Sequence, residues 1–134
     1  MVPGNDENII IAMHIFSQTS SADDFGTDNL PMTVNVLSVI TAFNNRSTIT
    51  INGNSYDYSD ATGKVRCILT GHTHYDKIYT ATDNLPVICI TDATDYMRSP
   101  IKFDLGFLDY ENDELHLIRV NDLDGAGTRV VTLR

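Results

Sequence analysis

Apolar residues in this chain come in short β-branched runs, each closed off by turn residues. Such a pattern suits strands of a layered sheet protein and leaves little room for a helical bundle. Residues 8–14, Asn-Ile-Ile-Ile-Ala-Met-His, form one continuous run that ends at a histidine, which predicts a strand covered on both faces. Thr48-Ile49-Thr50-Ile51 alternates with period two and leads into Asn52-Gly53, the pair that best tolerates a type I′ turn. Asn54-Ser55-Tyr56-Asp57-Tyr58 then returns as the second arm, with Ile49 facing Tyr56. Residues 65–70 and 86–90 are two further apolar strands. Residues 103–108 and 115–120 flank a polar turn at Glu111-Asn112-Asp113 and predict a second hairpin. Residues 129–133 supply a closing strand. One stretch has helical spacing: Met32, Val36, Val39, Ile40 and Phe43, behind Pro31 at a first helical position, predict a helix over 32–44. The sum is a sheet-dominated single domain, residues 1–134, with helical cover on one side.

Composition narrows the function classes. The chain has 134 residues, 42% of them hydrophobic, enough for a packed core. Nine Lys and Arg stand against eighteen Asp and Glu, a net charge of −9. A nucleic-acid surface needs clustered positive charge, and so does docking on anionic lipid, so neither partner is expected. Cys67 and Cys89 each lie inside an apolar stretch and are expected as buried thiols rather than a disulfide framework. No apolar run reaches the length of a membrane helix and no signal-peptide pattern opens the sequence, which favours a cytoplasmic location.

Histidine carries the chemistry worth weighing. With eight glycines and four histidines, chance produces Gly-His-x-His about 0.007 times in a sequence of this length. The pattern stands once, at Gly71-His72-Thr73-His74, directly after the strand 65–70. The glycine is expected to turn the backbone sharply, so that two imidazoles project from a rigid strand end. Imidazole is a good ligand for Mn, Fe, Zn or Ni. A solvated polar turn is the competing reading of the same residues. His14 also ends an apolar strand, where parallel sheets gather their ligand sites; a satisfied core histidine is its alternative. His116 is expected on the wet face of the second hairpin, opposite Leu115 and Leu117, and is left out of the site.

Together these features resemble the calcineurin-like metallophosphoesterases. Val65–Thr70 followed by Gly71-His72-Thr73-His74 resembles the family's last metal-binding motif, and the strand ending in His14 resembles its preceding one. The interval between them, holding one helix and an insertion, fits. Residues 103–120 resemble the family's late hairpin, and Gly125-Ala126-Gly127-Thr128-Arg129 is similar to its closing Gly-x-Gly-x-x-Arg, one residue short. The resemblance implies an α/β fold, a partial metallophosphoesterase-like β-sandwich. It implies a hydrolase of phosphate esters that uses a dinuclear site of divalent transition metals. His14 and His72 would bind one metal and His74 the other.

The family's Asp-x-His, Gly-Asp and Gly-Asn-His motifs are absent from these 134 residues. Three neutral imidazoles do not balance two divalent cations, though they can hold one metal with an open position. The expectation is therefore the C-terminal portion of such an enzyme, inactive as this chain alone. Its partner would be the N-terminal half or a second copy in a homodimer. A non-catalytic remnant or assembly module of the same fold, and a small β-rich binding domain, are the alternatives.

Among the remaining polar residues, Asp92 and Asp95 follow the strand 86–90 and are candidates for a second ligand layer; an ordinary acidic loop is the competing reading. Asp23, Asp24 and Asp28 carry the same pair of readings. Arg98 suits a phosphate contact or a plain surface loop. The Gly125–Gly127 loop lacks the lysine of a phosphate cradle. Asn45-Arg46-Ser47 fits a glycosylation pattern.

Overall fold

A computed structural model of the chain describes residues 8–14, 31–71, 77–90, 103–121 and 127–133. Among these residues the strands are β1 (Asn8–Met13), β2 (Thr48–Ile51), β3 (Asn54–Asp57), β4 (Lys64–Thr70), β5 (Lys77–Thr80), β6 (Pro86–Cys89), β7 (Phe103–Asp109), β8 (Glu114–Val120) and β9 (Thr128–Thr132), with one α-helix, α1 (Pro31–Asn44), and a 3-10 turn at Thr82–Asn84. They form a four-stranded sheet in the order β1-β4-β6-β5, a three-stranded sheet β7-β8-β9 and the hairpin β2-β3. In the four-stranded sheet β1, β4 and β6 run parallel and β5 antiparallel. Among the described residues the sheet-rich architecture, the helix at 31–44 and the two hairpins match the sequence expectations; β5 is an addition to them.

The four-stranded sheet is the middle layer of three. One core cluster, Ile40, Val65, Ile68, Ala81, Leu85 and Val87, joins it to α1, with Ile9, Ile11, Met13, Val36, Leu37 and Phe43 packed around it. A second cluster, Cys67, Ile88, Leu115, Leu117, Val131 and Leu133, joins its other face to the three-stranded sheet. Coverage on both faces explains why β6 is buried at every residue and why β4 and β6 read as continuous apolar runs rather than alternating ones. β1 has the same apolar character but is only half-buried. Among the described strands it stands at the edge of the sheet; both its faces are covered as expected, Ile9 and Ile11 toward α1 and Ile10 toward the three-stranded sheet, but only in part.

A bulge in β4 sets which side chain faces which layer. Ile9 pairs with Val65 and the next residue, Ile10, pairs with Cys67, so Arg66 is extra in the ladder. Strict alternation would send Val65 and Ile68 to opposite faces. The extra residue restores them to the same face, toward α1, while Cys67 turns to the three-stranded sheet. Arg66 itself pairs with Asp113 at the β7–β8 turn, tying the two sheets together.

The helix ends in a hydrogen-bonded cap. Arg46 adopts φ 55°, with Arg46 N–H donating to the Phe43 carbonyl at 3.2 Å and Ser47 N–H to the Ala42 carbonyl at 2.9 Å. Glycine is the usual residue at such a left-handed cap. Here the arginine head donates to the Phe43 and Gly63 carbonyls and lies over the Phe43 ring, which offsets the backbone strain. Asn44 then locks the helix to the sheet: its Nδ2 donates to the Val65 carbonyl at 3.0 Å, and its Oδ1 accepts from Val65 N–H at 2.8 Å. The hairpin β2-β3 has the expected register, Ile49 opposite Tyr56, with Asn52 and Gly53 at φ 52° and 79°.

Asn44→Ala removes both bonds to Val65 and leaves part-buried backbone groups unsatisfied, so urea denaturation should show a loss of about 1–3 kcal/mol. Cys67 is free and fully buried, and burial pushes its thiol from 9.0 up to about 11. Between those values the unfolded state ionises while the folded state keeps its proton, so stability falls as pH rises above about 9. Cys67→Ala should flatten that decline in a denaturation series from neutral to alkaline pH. An unchanged slope would show that Cys67 does not cause it.

Candidate metal centre

The ends of parallel strands converge on one point of the middle sheet. Met13 pairs with Thr70 as the last rung between β1 and β4. Beyond that rung the chains stay joined: Gly71 N–H donates to the His14 carbonyl at 3.1 Å and Thr70 Oγ1 donates to the same oxygen at 3.2 Å. Ile90 N–H, just past β6, donates to the Thr70 carbonyl at 2.9 Å. Three parallel strands thus release their chains side by side, where open α/β sheets place their ligands. His14 stands exposed at this edge, while Thr70 beneath it is 4% exposed.

Gly71 differs from expectation. It is absent from the glycines with positive φ. A Cβ built there would lie 3.8 Å from the His14 carbonyl oxygen and 4.0 Å from its Nδ1, ordinary van der Waals contacts. The sharp glycine turn is therefore not what this position requires. Gly71→Ala should leave the thermal midpoint unchanged within about 0.5 kcal/mol of stability, and a larger loss would restore a conformational role. His72 and His74 follow Gly71 in the chain and lie outside the described residues, as do Asp92, Asp95, Asp23, Asp24, Asp28 and Arg98.

A second group was missed in the sequence. Asp109, Glu114 and His116 offer ligand atoms that all lie within 4.8 Å of one another, so these three could hold a metal ion. The outward placement of His116 is as expected, since Leu115 and Leu117 point into the core. Overlooked was the hairpin register, which sets Asp109 opposite Glu114, with His116 two residues further along the same face. An acid at each side of the turn and a histidine at i+2 was the available signal. His116 Nε2 lies 3.1 Å from Glu114 Oε2. Asp109 is already engaged in shaping the turn. Its Oδ1 accepts from Glu111 and Asn112 N–H at 3.0 and 3.1 Å, and its Oδ2 from Asn112 Nδ2 at 2.8 Å. The Asn112 side-chain bond is the main cause of its lowered pKa.

A third group is buried. Asp104 on β7 and Arg119 on β8 have side chains with 0% exposure, and Arg129 on β9 has 17%. Arg119 Nε and Nη2 bind the two Asp104 oxygens at 2.8 and 3.3 Å, and Arg129 Nη2 adds a contact at 2.5 Å to Oδ1. The arginine singled out in the closing motif therefore clamps all three strands through one carboxylate. Removing a shared buried charge leaves its partners uncompensated. Asp104→Ala should cost about 3–5 kcal/mol by denaturant titration, against little change for the exposed Asp60→Ala.

Among the described residues no helix is long and apolar enough to cross a membrane. Comparison of the chain with known family models, with curated proteins and with solved structures finds no match to any of them.

Proposed function

We propose that the chain is the C-terminal part of a metal-dependent phosphoesterase of the calcineurin-like kind, carrying that site's last two metal-binding motifs. The observation that supports this most is the backbone junction between His14 and Gly71. His14 and Gly71, the residue that opens the second motif, are more than fifty residues apart in the chain, yet they leave adjacent parallel strands and are joined by a 3.1 Å backbone hydrogen bond. The layering of helix, mixed sheet and second sheet is also compatible with one half of a two-sheet sandwich.

The donor set fits a transition metal such as Mn, Fe, Zn or Ni. Imidazole suits these ions, and three neutral imidazoles leave a coordination position open. His14 and His72 would hold one metal and His74 a second, with Asp92 and Asp95 as outer partners. A bound pair of such ions supplies a hydroxide nucleophile and charge stabilisation for phosphoryl transfer. The chain's own part is to hold and orient the imidazoles on strand ends. The bridging carboxylate and the leaving-group histidine would come from the N-terminal half. Substrate turnover by these residues alone is then negligible.

Metal binding tests the reading. Titration calorimetry with Mn²⁺ or Zn²⁺ should show binding that is lost in His14→Ala and His72→Ala and kept in His116→Ala. Binding lost only with His116→Ala would move the site to the β7–β8 hairpin and sink the proposal. Hydrolysis of an aryl phosphate with added Mn²⁺ should match that of the triple His14/His72/His74→Ala variant.

A further inference from the structure

The outer face of the three-stranded sheet carries a group of exposed apolar side chains. Phe103, Leu105, Phe107, Ile118 and Val130 all point away from the core, at 40%, 46%, 55%, 40% and 50% exposure. Register makes them one patch: Leu105 sits opposite Ile118, and Phe107 opposite His116, which faces Val130 in turn. A sheet face left to water normally alternates to polar residues. This one does not.

We propose that this face is the contact surface between two copies of the chain, packed sheet on sheet about a two-fold axis. Area and charge both favour a second copy as the occupant. With about 150–250 Å² for each aromatic side chain, the five residues leave roughly 400 Å² of apolar surface in water. A standard interface takes about 800 Å² from each partner, and a homodimer's is about two-thirds non-polar, so the patch supplies most of what is needed.

Charge decides the arrangement. The chain carries −9 overall, so two copies can meet only where like charges are absent. The outward ionisable residues on the described part of this sheet are Asp109, Glu114 and His116, toward the β7–β8 turn, while Asp104, Arg119 and Arg129 point inward. With the strands of the two copies antiparallel, each acidic end lies over the other copy's far end, where the described residues carry no outward charge. This inference rests on the fold alone and stands or falls separately from the phosphoesterase reading.

Sedimentation velocity on the full chain tests it. A dimer with a Kd below about 100 µM is expected. Phe107→Glu and Val130→Glu should sediment as monomers with unchanged far-UV circular dichroism. Ile78→Glu, at an exposed site on β5, should remain dimeric. Should Phe107→Glu unfold, Val130→Thr keeps the side-chain shape and should weaken the dimer about fivefold. A wild-type chain that stays monomeric overturns the proposal and leaves the face to a different protein. A dimer indifferent to Val130→Glu and Val130→Thr overturns it equally.

Discussion

Parallel pairing between β1 and β4 is the constraint on which the rest of the molecule depends. It closes a long stretch of chain that includes α1 and the β2-β3 hairpin, and so bears a large loop-closure cost. Burial on both faces offsets that cost. Isoleucines of β1 reach toward α1 on one side and toward the three-stranded sheet on the other. Because the pairing runs to the last residue of both strands, it also fixes where the two chains emerge. The position of His14 beside Gly71 is thus a by-product of core formation, needing no ligand to create it.

The three layers are pinned at their periphery by polar contacts. Asn44 fastens the helix to the first rungs of β4, and Arg66 with Asp113 fastens the middle sheet to the outer hairpin. Asp104 with its two arginines holds the outer sheet to itself. Each contact specifies a register rather than adding bulk stability, since apolar clusters alone tolerate sliding. Buried charge is a costly way to do this, which is why it sits where three strands can share one carboxylate.

Much of this was legible in the sequence. Period-two alternation and Asn-Gly gave the first hairpin down to its cross-strand pair, Ile49 with Tyr56. Pro31 and the spacing of Val36, Ile40 and Phe43 gave the helix to within a residue. β5 was not legible: Lys77-Ile78-Tyr79-Thr80 is short, half of it polar, and it exists as a strand because β6 offers an edge. The Asp109, Glu114 and His116 group escaped notice because proximity there comes from hairpin register rather than from any motif. The Asp104–Arg119 pair has no motif of its own: alternation from Leu115 and Leu117 puts Arg119 on the inner face, and the β7–β8 register sets Asp104 opposite it. For the histidines, the sequence supplied strand ends and the fold supplied their adjacency for His14 and Gly71.

The extra residue in β4 has a consequence for how the chain tolerates change in length. Position 66 is a one-residue surplus over a regular ladder. Excising it would join Val65 to Cys67 in simple alternation, with each still facing its own layer, at the cost of one ion pair. Excising Ile68 instead leaves two outcomes, both poor. If the bulge stays, Leu69 swings from the outer-sheet side to the helix side, out of phase with its neighbours. If the bulge irons out to absorb the gap, a guanidinium is driven between two apolar layers. A single-codon deletion is therefore survivable at one point of this strand and ruinous a few ångströms further on.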